Sequence, residues 1–475
     1  MQDLKAKAVR GIFWSFTEKT GYQLVQFIIG VILARLLLPE DFGVVAILAV
    51  FIAILRIVVD CGLGAALIQR EDADYTDECT VFWFNCLASL VFAGALSLSA
   101  PLIAVFFDQP LYEKMVPVVS LILIFGAVGN IQVNVLTRRI DFKRQALINV
   151  CAILVSGGVG VWMALNSFGV WALVGQSTLH AAFSALLLWL IVDWRPKFVF
   201  SYKSFKKMFP YGFNLFVSSL IDSFFNNLYV LLIGKIYSPA QLGFFSKAKN
   251  LQEIPVGSIY GILGRVAFPV FSRMQNDLEK FKKALIKSTQ VLAFFSFPVM
   301  FGLATVGEPF IELLLTEKWL PAVPFLQLLC IAGTLMPLHA LNLSVLKALG
   351  RSDLYLKIEI VKKVLIVINI LLTYQYGIEA MLMGGILVSI IGFYVNTYYS
   401  KKLVNFGFME QVSIISPTIL IATIMSFVVY FTPEYIDGLF YLFIFKVVLG
   451  SVTYIALSWV FNREPIISAL ALIRR

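Results

Sequence analysis

Apolar residues in this chain continue for about 20 positions or more at a stretch, and short polar connections separate the runs. A run of that length crosses a hydrocarbon core of about 30 Å as a helix. Only a helix of its own satisfies a segment's backbone groups where no water is available. The pattern predicts about fourteen spans, at roughly residues 12–37, 43–68, 80–106, 115–137, 146–165, 169–192, 209–234, 243–271, 286–307, 323–347, 358–375, 378–399, 412–431 and 438–461. These spans use up the chain. The fold class is therefore all-α integral membrane, and a large extramembrane catalytic module is excluded.

The polar connections alternate in basic content. Lys5, Lys7 and Arg10 precede the first span, and further groups include Arg138, Arg139, Lys143 and Arg144, then Lys203, Lys206 and Lys207. Another set is Lys280, Lys282, Lys283 and Lys287, and the intervening connections hold far fewer. Basic loops stay in the cytoplasm, so both termini are expected there. With 60% hydrophobic and 14% charged residues, the net charge of +10 is a topology signal. It does not call for nucleic acid as a partner; anionic lipid is the secondary reading. The apolar stretch after the basic start is too long for a cleavable signal peptide. The five cysteines form no CxxC and are expected as buried thiols.

The chain also repeats itself. Leu38-Pro39-Glu40-Asp41-Phe42-Gly43 returns 200 residues later as Ser238-Pro239-Ala240-Gln241-Leu242-Gly243. Arg139-Ile140-Asp141-Phe142 returns after 212 residues as Arg351-Ser352-Asp353-Leu354, and Phe168-Gly169-Val170 after 208 as Tyr376-Gly377-Ile378. An even number of spans separates the copies, which gives two parallel six-helix repeats with a substrate site between them. The expected division is an N-lobe over roughly 1–200, a C-lobe over roughly 201–405, and appended spans with a tail over roughly 406–475.

Charges inside spans are costly and usually face a cavity or a partner. Arg56 and Asp60 are four residues apart and share a helical face, as a self-neutralising packed pair or as a functional one. Asp222 shares a face with Asn226 and Tyr229. The eighth span is the least apolar, with Lys247, Lys249, Gln252, Glu253 and Arg265. Lys19, Gln23 and Gln26 form a polar stripe in the first span, where snorkelling is the alternative account of Lys19. Lys19, Arg56, Lys249 and Arg265 are candidates to bind a phosphate or diphosphate. Asp60, Asp222 and Glu253 are candidates for a coupling proton or Na⁺. Asn130 and Asn134 fit helix–helix hydrogen bonds, and His180 and His339 fit hydrogen-bonded structure. No GxxxxGK[ST], HExxH, His/Cys cluster or nucleophile elbow occurs, which excludes ATP hydrolysis within this chain and gives no reason to expect a metal or cofactor.

Several stretches taken together carry a family resemblance. They are Ala34-Arg35-Leu36-Leu37-Leu38-Pro39-Glu40-Asp41-Phe42-Gly43, Asp60-Cys61-Gly62-Leu63-Gly64-Ala65-Ala66-Leu67-Ile68-Gln69, and Tyr237-Ser238-Pro239-Ala240-Gln241-Leu242-Gly243-Phe244-Phe245-Ser246-Lys247-Ala248. Phe268-Pro269-Val270-Phe271-Ser272-Arg273 and Leu313-Leu314-Leu315-Thr316-Glu317-Lys318-Trp319 complete the set. The chain resembles the polysaccharide transporter family of the multidrug/oligosaccharidyl-lipid/polysaccharide flippase superfamily, close to the Wzx-type O-antigen and exopolysaccharide exporters. The resemblance implies two six-helix lobes around a V-shaped cavity, two extra helices, and alternating access. It implies movement of undecaprenyl-diphosphate-linked oligosaccharide across the bacterial inner membrane, coupled to an ion gradient, with a polysaccharide polymerase as a candidate partner beside the membrane lipids. A cation-coupled drug exporter of the same superfamily is the alternative transporter. A membrane glycan polymerase or ligase is the alternative of another class, disfavoured by the short outer connections.

Overall fold

The computed structural model describes residues 21–432 and 438–473, and their side chains apart from those of 258–270, 273 and 469–473. Every regular element among the described residues is helical. Besides two short 3-10 helices (Glu317–Ala322 and Tyr374–Tyr376), the α-helices in chain order are α1 (Gly21–Leu36), α2 (Pro39–Asp60), α3 (Leu63–Gln69), α4 (Tyr75–Leu98), α5 (Ala100–Phe106), α6 (Tyr112–Arg138), α7 (Phe142–Leu165), α8 (Trp171–Ile191) and α9 (Tyr202–Ile236). They continue with α10 (Pro239–Arg273), α11 (Leu278–Thr305), α12 (Gly307–Leu315), α13 (Val323–Gly333), α14 (Met336–Ala348), α15 (Ser352–Thr373), α16 (Ile378–Val404), α17 (Phe408–Tyr430), α18 (Leu439–Phe461) and α19 (Arg463–Ile473).

Eleven helical stretches among the described residues are long and apolar enough to cross a membrane. Helices α1, α10 and α15 also lie where the hydropathy pattern expects spans, but they are not among the eleven: α1 is described over too short a length, and α15 carries Lys357, Glu359, Lys362 and Lys363. The chain forms two compact units, Met1–Gly243 and Phe244–Arg475.

Besides the one-residue break at Ser99 that divides the stretch expected at 80–106 into α4 and α5, two expected spans turn out to be interrupted. The second ends at Asp60, where Cys61 (φ 48°) and Gly62 (φ +69°) adopt left-handed conformations before α3 begins. A Cβ on Gly62 would lie 2.1 Å from the Gly212 carbonyl oxygen of α9, so the break is also a point of backbone contact. The stretch expected at 323–347 divides into α13 and α14 around Thr334–Leu335, ahead of Pro337, which has no N–H to continue a helix. Periodicity alone does not register either break, because the flanking residues remain apolar.

Within the first unit the repeated Pro-x-x-x-Gly segments meet reciprocally. A Cβ on Gly43 would lie 1.8 Å from the Pro239 carbonyl oxygen, and one on Gly243 would lie 1.8 Å from that of Pro39. Helices in lipid attract one another through close packing, with no hydrophobic driving force to help, and small residues permit that approach.

The core of this unit lies beneath α3, α4, α6, α8 and α9, around Leu63, Leu67, Phe82, Ile131, Val135 and Met208. At its basic end the segment between α8 and α9 is strapped onto α4. Trp83 Nε1 donates to the Lys197 carbonyl at 2.8 Å, Ser201 N to Thr80 Oγ1 at 3.0 Å, and Trp194 Nε1 to Glu78 Oε2 at 2.8 Å. Arg138 Nη1 reaches the other Glu78 oxygen at 3.1 Å. Arg70 and Lys207 both hold Asp72, at 2.9 and 3.0 Å. In the second unit, Asn342 of α14 bonds Gln411 and Ser400, and Lys362 pairs with Glu359 at 2.6 Å.

Candidate functional site

Arg56 and Asp60 both line a chamber of about 480 Å³ inside the first unit, between α2, α3, α6 and α8. Their spacing of one helical turn puts them on one face, as expected, yet no ion pair joins them. Asp60 is instead held by Asn130 of α6, whose Nδ2 donates to Oδ1 at 2.9 Å. The packed, self-neutralising pair is therefore not what the structure contains. The Arg56 side chain is open to the chamber, beside Tyr22 of α1 and His180 of α8, whose rings lie 5.9 Å apart.

Asn134 completes the polar wall. It is 7% exposed, and its Nδ2 has no hydrogen-bond partner. The His180 Nε2 is likewise buried and unpartnered. A Cβ on Gly64 would lie 2.9 Å from both Asp60 Oδ1 and Asn134 Nδ2, so the two polar groups pack close against this glycine, where a larger residue would crowd both. The break after Asp60 makes this possible, because it lets α3 present Gly64 to the chamber while Asp60 ends α2. Phe125, Leu123 and Ile68 provide the apolar part of the wall. An acceptor, two amides, an imidazole and a guanidinium thus face one volume, which suits a small polar ligand carrying negative charge.

The other expected site residues distribute differently. Asp222 is exposed on α9 and does not line the chamber. Lys249 and Glu253 belong to the second unit and approach each other at 3.7 Å along α10. Lys19 and Arg265 lie outside the described residues, the latter by its side chain. Asn134, His180 and Gly64 are not among the residues that the sequence singles out for the site. The expected helix–helix hydrogen bond is the one Asn130 of α6 makes to Asp60 of α2, whereas the Asn134 amide donor has no partner.

The second unit contains a cavity of about 500 Å³ between α11, α12, α17 and α18. Its wall is dominated by Phe294, Val299, Phe310, Met425 and Val447, with no comparable convergence of amides and carboxylate. Asn342, 212 residues after Asn130, is enclosed in its own hydrogen-bond network.

A family model described as polysaccharide biosynthesis protein matches residues 32–324. The chain is 28% identical to the teichuronic acid biosynthesis protein TuaB of Bacillus subtilis, covering 74% of each protein. It is 28% identical to the succinoglycan biosynthesis transport protein ExoT of Rhizobium meliloti, over 73% of this chain and 71% of that one. With the lipopolysaccharide biosynthesis protein WzxC of Escherichia coli the identity is 27%, over 82% and 80%. Among solved structures, the lipid II flippase MurJ in an inward closed conformation superposes with a TM-score of 0.75 at 17% identity, covering 96% of this chain and all (100%) of that one. An inward-facing multidrug resistance transporter of the MATE family gives 0.61 at 17% identity, over 81% and 96%.

Proposed function

This chain belongs to the polysaccharide biosynthesis protein family, and from that premise we propose that it is a flippase for lipid-linked oligosaccharide in the bacterial inner membrane. The observation that supports this reading most directly is the polar chamber enclosed among the apolar helices of the first unit. Placing charges at membrane depth costs about 2.5–3.5 kcal/mol each on insertion scales, so groups kept there usually serve a ligand or a pathway. The chain is no enzyme in this reading; its work is translocation.

The proposed substrate is undecaprenyl-diphosphate-linked oligosaccharide, moved from the cytoplasmic to the outer leaflet by alternating access. Arg56 meets an anionic part of the headgroup. Lys19, Lys249 and Arg265 are the further candidates for the diphosphate, and Asp60, Asp222 and Glu253 for coupling to a proton or Na⁺. Both termini are cytoplasmic, and fourteen spans form two parallel six-helix repeats with two appended helices. The reciprocal contact of Pro39 and Gly43 with Pro239 and Gly243 supports the repeat. The lipid tail stays in the bilayer while the sugars cross, and a polysaccharide polymerase receives the product.

The test is accumulation of lipid-linked glycan in a deletion strain, with and without the gene restored. Sugar-loaded undecaprenyl diphosphate should build up on the cytoplasmic side while surface polysaccharide falls. Unchanged intermediates would refute the reading. The chamber carboxyl of Asp60 also suits a cationic drug, so a change in drug sensitivity alone would favour the exporter of that class.

A further inference from the structure

We propose that the chamber of the first unit seats an acidic sugar, a hexuronate or another pyranose bearing one carboxylate. Arg56 binds the carboxylate, and Asp60 and Asn134 bind neighbouring ring hydroxyls. The proposal rests on the flippase reading and specifies the substrate class of the same site.

The donor set carries the argument. Arg56 makes no hydrogen bond or ion pair with the described residues, so its planar fork is available for a bidentate carboxylate. Asn134 directs an unpartnered amide donor into the chamber, and the Asp60 carboxyl beside it is an acceptor. A donor and an acceptor on one wall of the chamber match a pair of vicinal hydroxyls, each of which both donates and accepts. Asn130 holds the Asp60 carboxyl in place at 2.9 Å. Phe125 and Leu123 provide the apolar surface that a sugar ring's C–H face requires. The volume of about 480 Å³ falls within the range of about 300–1,000 Å³ common for small ligands.

Charge separates this ligand from a diphosphate. Arg56 is the one Lys or Arg among the described lining residues, and Asp60 lies on the same wall. With Asp60 on the same wall, a ligand bearing one carboxylate leaves the smaller excess of negative charge for Arg56 to balance. A diphosphate brings more than one negative charge, and the larger excess would stand unpaired at membrane depth and near a carboxyl group.

The experiment uses the full chain in nanodiscs and saturation-transfer NMR with methyl glucuronide, methyl glucoside and inorganic pyrophosphate. The glucuronide should bind at least tenfold more tightly than the glucoside. Arg56→Gln should bring the two to the same level, and Arg56→Lys should restore part of the difference. Asn134→Leu should weaken both sugars alike. Equal binding of the two sugars, or no binding of the glucuronide, overturns the proposal. Arg56-dependent binding of pyrophosphate without the glucuronide also overturns it and leaves the flippase reading standing. Selective glucuronide binding without glycan accumulation in the deletion strain supports the sugar seat and removes the flippase reading instead.

Discussion

Replacing Gly64 with alanine tests the chamber while leaving the fold in place. The new Cβ would lie 2.9 Å from Asp60 Oδ1 and from Asn134 Nδ2, inside ordinary van der Waals contact. Both atoms are ends of side chains, so rotation relieves the clash, and alanine suits a helix better than glycine. The rotation breaks the 2.9 Å bond between Asn130 and Asp60 and turns the Asp60 and Asn134 polar groups away from where they would meet the ligand's hydroxyls. A hydrogen bond to a carboxylate is worth about 1.5–3 kcal/mol, and about 1.4 kcal/mol corresponds to tenfold, so export should fall about 10- to 100-fold.

Gly62→Ala is the informative contrast. There φ is +69° and the Cβ would lie 2.1 Å from a backbone oxygen of Gly212, which no side-chain rotation relieves. Left-handed strain of about 1–2 kcal/mol and overpacking of about 1–3 kcal/mol then act together on stability. Fluorescence size-exclusion chromatography measures folded protein, and surface polysaccharide with lipid-linked intermediates measures export. Gly64→Ala should remain folded and fail in export, whereas Gly62→Ala should fail to fold. A folded Gly64→Ala variant with full export would refute the role given to the chamber wall.

Other consequences are equally open to measurement. Gly43→Ala and Gly243→Ala should each destabilise the protein by about 1–3 kcal/mol, with the double variant losing less than the sum because the contact is shared; thermal unfolding in detergent reads this directly. Hydrogen bonds from Arg70 and then Lys207 hold the Asp72 carboxyl well below the usual carboxylate range. Its stabilising effect is thus complete above the unfolded value of about 4 and is lost as pH falls toward the lower folded value. Protection factors at the start of α9, which are corrected for the intrinsic pH dependence of exchange, should therefore match at pH 5.5 and pH 8 and fall only at stronger acidity, while Asp72→Asn should lower them at pH 5.5 and pH 8 alike. Trp194→Phe removes the donor to Glu78 Oε2 and should loosen the α8–α9 strap, seen as faster proteolysis between Val192 and Ser201 with α4 unaffected.

Much of the architecture was legible because the membrane simplifies the chain's choices. Hydrocarbon demands an internally satisfied backbone, so long apolar runs become helices whatever their neighbours are. The helical class, eleven apolar spans among the described residues and the shared face of Arg56 and Asp60 follow from spacing along the chain. The Asp60-Cys61-Gly62-Leu63-Gly64 stretch was recognisable as a motif, but its meaning was not. Its glycines answer to Gly212 on α9 and to Asn134 on α6, which lie far away in sequence. Only the tertiary structure decided that Asp60 bonds Asn130 rather than Arg56, and that Arg56, Asn134 and His180 share a single chamber. Helical periodicity determines which residues share a face of one helix. Which faces meet depends on close packing between helices, and in lipid small residues and a few polar contacts settle that choice.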